Sequence, residues 1–180
     1  MPRYAIAVDT TKCIACHACR VACQNHNGLE FNEAFNWITE VDRGKFPSYS
    51  REFVPTQCNH CENAPCQRVC PTGAIYTSPE GVVLVHRHRC VGCKYCIEAC
   101  PYKVRHMSHH EGISVKCWFC WDMVKEGGEP ACVSTCPTQV RIFGDLDDPD
   151  SRVSRFVAQN RAEPLRPDLN TRPKIFYKRS

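Results

Sequence analysis

An α+β fold built by duplication is predicted for this chain from three observations. Sixteen of its 180 residues are cysteine. They fall into four groups of four with none left over. A strand-and-loop phrase recurs as well: "AIAVDTTKCIACHACRVAC" aligns with "VVLVHRHRCVGCKYCIEAC" at an offset of 77 residues, and "NAPCQRVCPTGAIY" with "EPACVSTCPTQVRI" at an offset of 66.

Composition narrows the class. Removing the cysteines from the 43% apolar fraction leaves about a third of the chain to build a core, little to set against the entropy of ordering it. Something besides aliphatic packing must hold the fold. The formal charge is only +4 and the basic residues are dispersed, so nothing resembles the concentrated footprint of a nucleic-acid binder. No run approaches the roughly 20 apolar residues of a membrane span. "MPRYAIAVDTTKC" has no export signal, so the chain is expected to be soluble and uncleaved. There is no dinucleotide fingerprint, P-loop or nucleophile with a base, and hence no catalytic site.

The first group is Cys13, Cys16, Cys19 and Cys23; the second Cys58, Cys61, Cys66 and Cys70. The third is Cys90, Cys93, Cys96 and Cys100; the fourth Cys117, Cys120, Cys132 and Cys136. A disulfide framework would require export. Zinc uses two separated C-x2-C pairs. The first and third groups instead read C-x2-C-x2-C-x3-C, the bacterial ferredoxin run for a 4Fe–4S cluster, in which the fourth cysteine ligates the neighbouring cluster. Proline follows Cys70, Cys100 and Cys136 and turns the chain away; Gln24 follows Cys23 and leaves that exit open.

Between Cys70 and Cys90 the sequence reads as a strand (74–77), a turn at "SPEG" and a second strand (82–85), the interior of an ordinary two-cluster ferredoxin. The second and third groups then form one unit, and the first and fourth pair around it. Pairing first with second and third with fourth is the alternative. The fold expected is therefore duplicated, interleaved two-cluster ferredoxin-type (4Fe–4S) domains with an inserted β-hairpin and an extended C-terminal arm. Residues 1–23 plus 112–145 make the outer unit and 58–111 the inner one. The hairpin occupies 24–57 and a helix with the arm 146–180.

Exchange of fourth ligands assigns Cys13, Cys16, Cys19 and Cys136 to cluster 1, and Cys23, Cys117, Cys120 and Cys132 to cluster 2. Cys58, Cys61, Cys66 and Cys100 hold cluster 3; Cys70, Cys90, Cys93 and Cys96 hold cluster 4. The eleven residues between Cys120 and Cys132 read as a surface insertion. Helix formation is expected after Asp150 or Ser151. Ile175, Phe176 and Tyr177 in the arm suggest docking on a partner. Trp37, Trp118 and Trp121 read as shields against water, and His17 and His60 as non-ligands. Arg20, Arg89, Lys94 and Lys116 abut ligands and are expected to raise cluster potentials. Without clusters, both units are expected to unfold together.

Four clusters and no catalytic motif imply an electron wire. In "CNHCENAPCQRVCPTGA", "KCWFC", "PACVSTCPT", "FGDLDDP" and "RPKIFY" the chain resembles the iron–sulfur subunits of the dimethyl sulfoxide reductase superfamily, most of all those of polysulfide and thiosulfate reductases. Tetrathionate and arsenate reductase and sulfite dehydrogenase subunits are next. The resemblance implies a large catalytic partner carrying molybdenum or tungsten bis-pterin guanine dinucleotide, and an integral-membrane anchor that handles quinone. It implies electron relay between the two in respiration on a sulfur compound. Membrane association would come through partners, on the periplasmic face by co-export or else on the cytoplasmic face. A free polyferredoxin carrier and a zinc-stapled interaction module are the competing readings.

Overall fold

The computed structural model describes residues 2–179. Strand β1 (Tyr4–Asp9) is buried from Ala5 to Asp9. Its apolar run is buried on both faces, which is why it lacks the alternation of a half-buried strand. Ile6 and Val8 enter the main core, while Ala5 and Ala7 pack in a second cluster on the opposite side. After the first cysteine loop, α1 (Ala18–Asn27) runs for ten residues. A hairpin follows, β2 (Asn36–Lys45) and β3 (Ser48–Gln57), paired without interruption from Asn36↔Gln57 to Lys45↔Ser48. Next come α2 (Pro65–Arg68) and the short pair β4 (Ile75–Thr77) and β5 (Val83–Val85). Helix α3 (Tyr95–Glu98) leads to β6 (His106–Met107) and β7 (Ser114–Val115), a two-rung pair. Helices α4 (Trp121–Lys125) and α5 (Ala131–Ser134) precede β8 (Arg141–Asp145). Helix α6 (Arg152–Asn160) and β9 (Ile175–Lys178) complete the chain.

The repeat in the sequence returns as a repeat in geometry. β4 pairs antiparallel with β5, starting at Ile75↔Val85; β8 pairs antiparallel with β1, ending at Arg141↔Val8. Each rung joins the fifth residue after a fourth cysteine to the fifth residue before a first cysteine, Cys70 and Cys90 in one case and Cys136 and Cys13 in the other. Helices α2 and α5 begin 66 residues apart and α1 and α3 begin 77 apart, the two offsets of the sequence. α3 stops after one turn because Pro101 follows Cys100; α1 continues to Asn27 because Gln24 follows Cys23.

Two expectations are corrected. The C-terminal arm is not free to dock elsewhere. Its apolar residues form β9, parallel to β1 from Ile6↔Ile175 to Asp9↔Lys178, giving a three-stranded sheet ordered β8-β1-β9. Ile175 is 0% exposed, and the Tyr177 hydroxyl donates to the Pro55 carbonyl at 3.0 Å. Three prolines and a lack of periodicity hid a four-residue strand whose ladder partner, β1, is 169 positions away. The eleven-residue segment inside the fourth group is likewise not all surface. It contains α4, whose Trp121 and Val124 are buried in the main core.

Glu52 on β3 fastens hairpin, sheet and C-terminus together. It accepts from Thr10 Oγ1 at 2.7 Å, Arg43 Nη2 at 3.0 Å and Arg179 Nη2 at 2.8 Å. Arg179 above all, with Thr10, holds its carboxyl below the usual range in spite of burial. A carboxylate with a lowered folded-state pKa stabilises fully above the unfolded value, about 4.3, and this is lost as pH falls through the folded one. Urea midpoints of wild type and Glu52→Gln should therefore differ at pH 7 and converge below about pH 4. A gap independent of pH would remove the carboxylate from this role.

Candidate metal centres

Each cysteine loop is shaped by one backbone feature. The residue before the second cysteine is left-handed in all four groups: Ala15 (φ 54°), His60 (φ 43°), Gly92 (φ 66°) and Phe119 (φ 63°). Such a residue reverses the chain sharply, and successive N–H groups in this conformation form a concavity suited to anions. A side chain there costs roughly 1–2 kcal/mol, so packing must fix it. The His60 and Phe119 rings are buried and stack on each other, centroids 3.8 Å apart. Gly92 admits no side chain, because a Cβ would meet the Gly112 carbonyl oxygen at 2.6 Å.

Four small cavities result, each lined by four cysteines. Cavity 1 is lined by Cys13, Cys16, Cys19 and Cys136. Cavity 2 is lined by Cys23, Cys117, Cys120 and Cys132. Cavity 3 is lined by Cys58, Cys61, Cys66 and Cys100. Cavity 4 is lined by Cys70, Cys90, Cys93 and Cys96. A wider concavity lies elsewhere, between α1, α4 and the β4–β5 pair, and no cysteine lines it.

The thiols are crowded. Burial, then the neighbouring thiols Cys132 and Cys120, push Cys23 up to about 12. Burial and Cys58 do the same to Cys61, to about 12, and burial raises Cys120 to about 11. Cys117 is raised well above its ordinary value by burial and by Cys23, Cys132 and Cys58. Cys70 and Cys136 are the exceptions. Burial raises both, but backbone N–H groups and the hydroxyls of Thr72 and Thr138 outweigh it and lower them. Val140 N–H donates to Cys136 Sγ at 3.3 Å. So many thiolates ionise together only when cations join them, and binding metal releases their protons.

The donor set fits iron–sulfur clusters. All sixteen cysteines are unpaired as disulfides. Among the described residues no three His, Cys, Asp or Glu side chains converge closely enough to hold a single metal ion. Zinc would need four sulfurs at about 2.3 Å from one atom; thiols spread around a cavity suit a cubane that offers one iron to each. Buried donors without partners point the same way: both Nη atoms of Arg105, Nη2 of Arg141 and Nε2 of Gln57. Arg105 lines cavities 3 and 4, Arg141 lines cavity 1 and Gln57 lines cavity 2.

The cavities follow one another. Cys19 of cavity 1 is close enough to Cys132 of cavity 2 to help raise the Cys132 thiol, and Cys58 of cavity 3 does the same to Cys117 of cavity 2. Cys61 and Cys66 of cavity 3 pack in one cluster with Cys70 and Cys96 of cavity 4. Only Cys16 and Cys93 are exposed, at the two outer cavities. Beside them Ile14 and Val91 are 62% and 67% exposed.

Of the four cations singled out in the sequence, only Lys116 is buried; its ammonium donates to the carbonyls of Val83 and Cys117. Arg89 and Lys94 are exposed and Arg20 is half-buried. Arg105 and Arg141 were not singled out, although the phrase C-P-x-x-V-R occurs twice in the sequence, as "CPYKVR" and "CPTQVR". Trp121 is buried, Trp37 and Trp118 half-buried; Trp37 packs beside Cys58, Cys100 and Cys117, and Trp118 donates to Asn27 Oδ1. His17 lines none of the four cavities, and neither does His60.

Comparison with known proteins agrees with this chemistry. Two family descriptions, both of a 4Fe–4S dicluster domain, match residues 49–146 and 12–74. The chain is 42% identical to the thiosulfate reductase electron transfer subunit PhsB of Salmonella typhi, over 87% of this chain and 82% of that one. It is 38% identical to a tetrathionate reductase subunit of Salmonella typhimurium, over 97% and 72%. It is 32% identical to the arsenate respiratory reductase iron-sulfur subunit ArrB of a Shewanella species, over 99% and 97%.

Proposed function

Since the chain belongs to the iron–sulfur electron-transfer subunits of the dimethyl sulfoxide reductase superfamily, we propose that it carries four 4Fe–4S clusters in the order 1–2–3–4. Cys13, Cys16, Cys19 and Cys136 hold the first, and Cys23, Cys117, Cys120 and Cys132 the second. Cys58, Cys61, Cys66 and Cys100 hold the third, and Cys70, Cys90, Cys93 and Cys96 the fourth. The observation that supports this most is the set of four similar cavities, each lined by four thiols drawn from two cysteine groups. When bound, such clusters accept and pass on single electrons. The chain's own part is to space them, exclude water and supply N–H groups to their sulfur. On this reading residues 1–23 with 112–145 form the outer unit around the inner unit 58–111, with 24–57 inserted.

The two ends of the wire differ from its middle in being open. Exposed apolar side chains over clusters 1 and 4 suit two docking surfaces, one for electron entry and one for exit. One partner is a large catalytic subunit with molybdenum or tungsten bis-pterin guanine dinucleotide. The other is an integral-membrane anchor that handles quinone, which holds the complex at the membrane; no described helix of this chain is long and apolar enough to cross one. The substrate of the complex is a sulfur compound, in keeping with the names of the thiosulfate and tetrathionate reductase relatives. The periplasmic face is proposed, reached by co-export with the catalytic subunit.

Protein isolated without oxygen should contain about sixteen iron and about sixteen acid-labile sulfide per chain, from four cubanes of four each. About four zinc and no sulfide would refute the reading. The ligand exchange makes a separate prediction: Cys136→Ser should alter the same paramagnetic centre as Cys16→Ser, and Cys70→Ser the same one as Cys93→Ser. If Cys136→Ser instead altered a centre shared with the third cysteine group, the nested pairing would be wrong. Co-purification with a large molybdenum- or tungsten-containing subunit separates a complex subunit from a free carrier.

A further inference from the structure

Each half of the molecule encloses one arginine close to its cavities, although the two do not correspond in the repeat: Arg105 matches Gly28 at the offset of 77 and Arg141 matches Ile75 at the offset of 66. Arg105 follows Cys100 by five residues and Arg141 follows Cys136 by five. Between cysteine and arginine stand the left-handed residues Lys103 (φ 51°) and Gln139 (φ 50°), which turn the chain back toward the thiols. The corresponding positions after Cys70 and Cys23 are Ile75 and Gly28. There is thus one such arginine per half.

Both guanidinium groups are buried, Arg105 4% and Arg141 2% exposed. Neither has a carboxylate partner among the described residues. Arg105 donates only through Nε, to Ser114 Oγ at 3.3 Å, and both its Nη atoms are without partners. Arg141 donates through Nη1 to Gln57 Oε1, leaving Nη2 without a partner. A buried cation with no counter-charge is heavily penalised, so an anion must face it. The surfaces it faces are lined with thiols. Arg105 borders cavities 3 and 4 at once. Arg141 borders cavity 1 together with Cys19, and Cys132 of cavity 2 is near enough for a charge on its sulfur to act on the guanidinium. Only a planar fork with donors on several sides reaches two neighbours in this way.

We propose that Arg105 and Arg141 each donate N–H groups to cluster sulfur on both sides and raise the reduction potentials of the two clusters they separate. The inference rests on the four-cluster reading. A cluster held there by four thiolates would be anionic and would gain one further negative charge on reduction, so the fixed cation of the arginine would favour the reduced form; the arginine itself keeps its protons, and no bond of this chain forms or breaks. Each half then shares one cation between its two clusters, which keeps their potentials coupled during transfer within the half.

The test is a redox titration of the full holoprotein followed by electron paramagnetic resonance, with signals assigned from the cysteine variants above. Arg105→Gln should make reduction of clusters 3 and 4 roughly tenfold less favourable, which is a fall of about 59 mV for a one-electron couple, and leave clusters 1 and 2 in place. Arg141→Gln should do the reverse. Arg105→Lys and Arg141→Lys, which keep the charge, should shift less. If the glutamine variants keep their full iron content and no potential moves, or all four move alike, the proposal fails while the four-cluster reading stands. Iron well below four cubanes in the wild type would instead refute that reading. Should the glutamine variants lose clusters, wild-type protein labelled with 15N at the guanidinium decides. Pulsed resonance of the reduced protein should detect 15N coupling, and its absence from every cluster overturns the proposal.

Discussion

Chelating the iron under oxidising conditions should abolish amide protection throughout residues 58–116. The reason is the thinness of the packing there. The buried cluster beneath β4 and β5 contains only Ala64, Ile75 and Val83 besides Cys61 and Cys96. Cysteine-lined cavities border Arg105 on two sides, so without clusters the thiols there lose the groups they enclose, and unfilled core space is destabilising against total stabilities of only about 5–15 kcal/mol. The β8-β1-β9 sheet is better provided. Ile6, Val8, Phe143, Ile175 and Tyr177 cover one face and Val153 with Phe156 the other. Its protection should be the last to disappear, which departs from the simultaneous collapse that composition alone suggested. Native-like protection of β4–β5 in apo-protein, measured by hydrogen exchange, would show that this pair stands on its own packing.

Ile175→Ala should destabilise the holoprotein by about 2–5 kcal/mol, the usual cost of emptying a fully buried aliphatic site. Ile175 is the residue through which β9 enters the core beside Ile6 and Val8. The loss should reach cavity 1, because β1 leads directly into the first cysteine loop. In a urea titration the midpoint should fall, and the signal of cluster 1 should bleach earlier than that of cluster 4. A change below about 1 kcal/mol would mean that the C-terminal strand rests on the sheet without being part of its core.

The cysteine groups and the strand–loop repeat were legible in the sequence because covalent ligation imposes spacing on the chain. The register of β4–β5 and of β8–β1 follows from the same spacing. Proline after Cys100 and its absence after Cys23 foretold the different lengths of α3 and α1. What stayed hidden depends on contacts between distant residues. β9 is four residues long and is held as a strand by the edge that β1 offers it, with a bridge from Tyr177 to Glu163 on its other side. α4 is a short helix fixed by Trp121 in the core. Arg105 and Arg141 escaped notice because they sit five positions from a ligand, while Arg20, Arg89, Lys94 and Lys116 are immediately adjacent to one. Adjacency along the chain turned out to be a poor guide to burial beside the thiols.

The position of β1 has a consequence for how the molecule is made. It precedes every other described strand along the chain, yet its two neighbours in the sheet, β8 and β9, follow all the others. At translation rates of about 5–20 residues per second, Asp9 waits roughly 8–35 s for Lys178, its partner in the ladder. For most of that interval, until residue 136 is made, Cys13, Cys16 and Cys19 have no Cys136 to complete their proposed set, whereas the second and third groups can meet as soon as Cys100 emerges. Metallation of the nascent chain should then begin from the middle and proceed outward. The earliest thiols are left longest in need of a chaperone or a reducing environment.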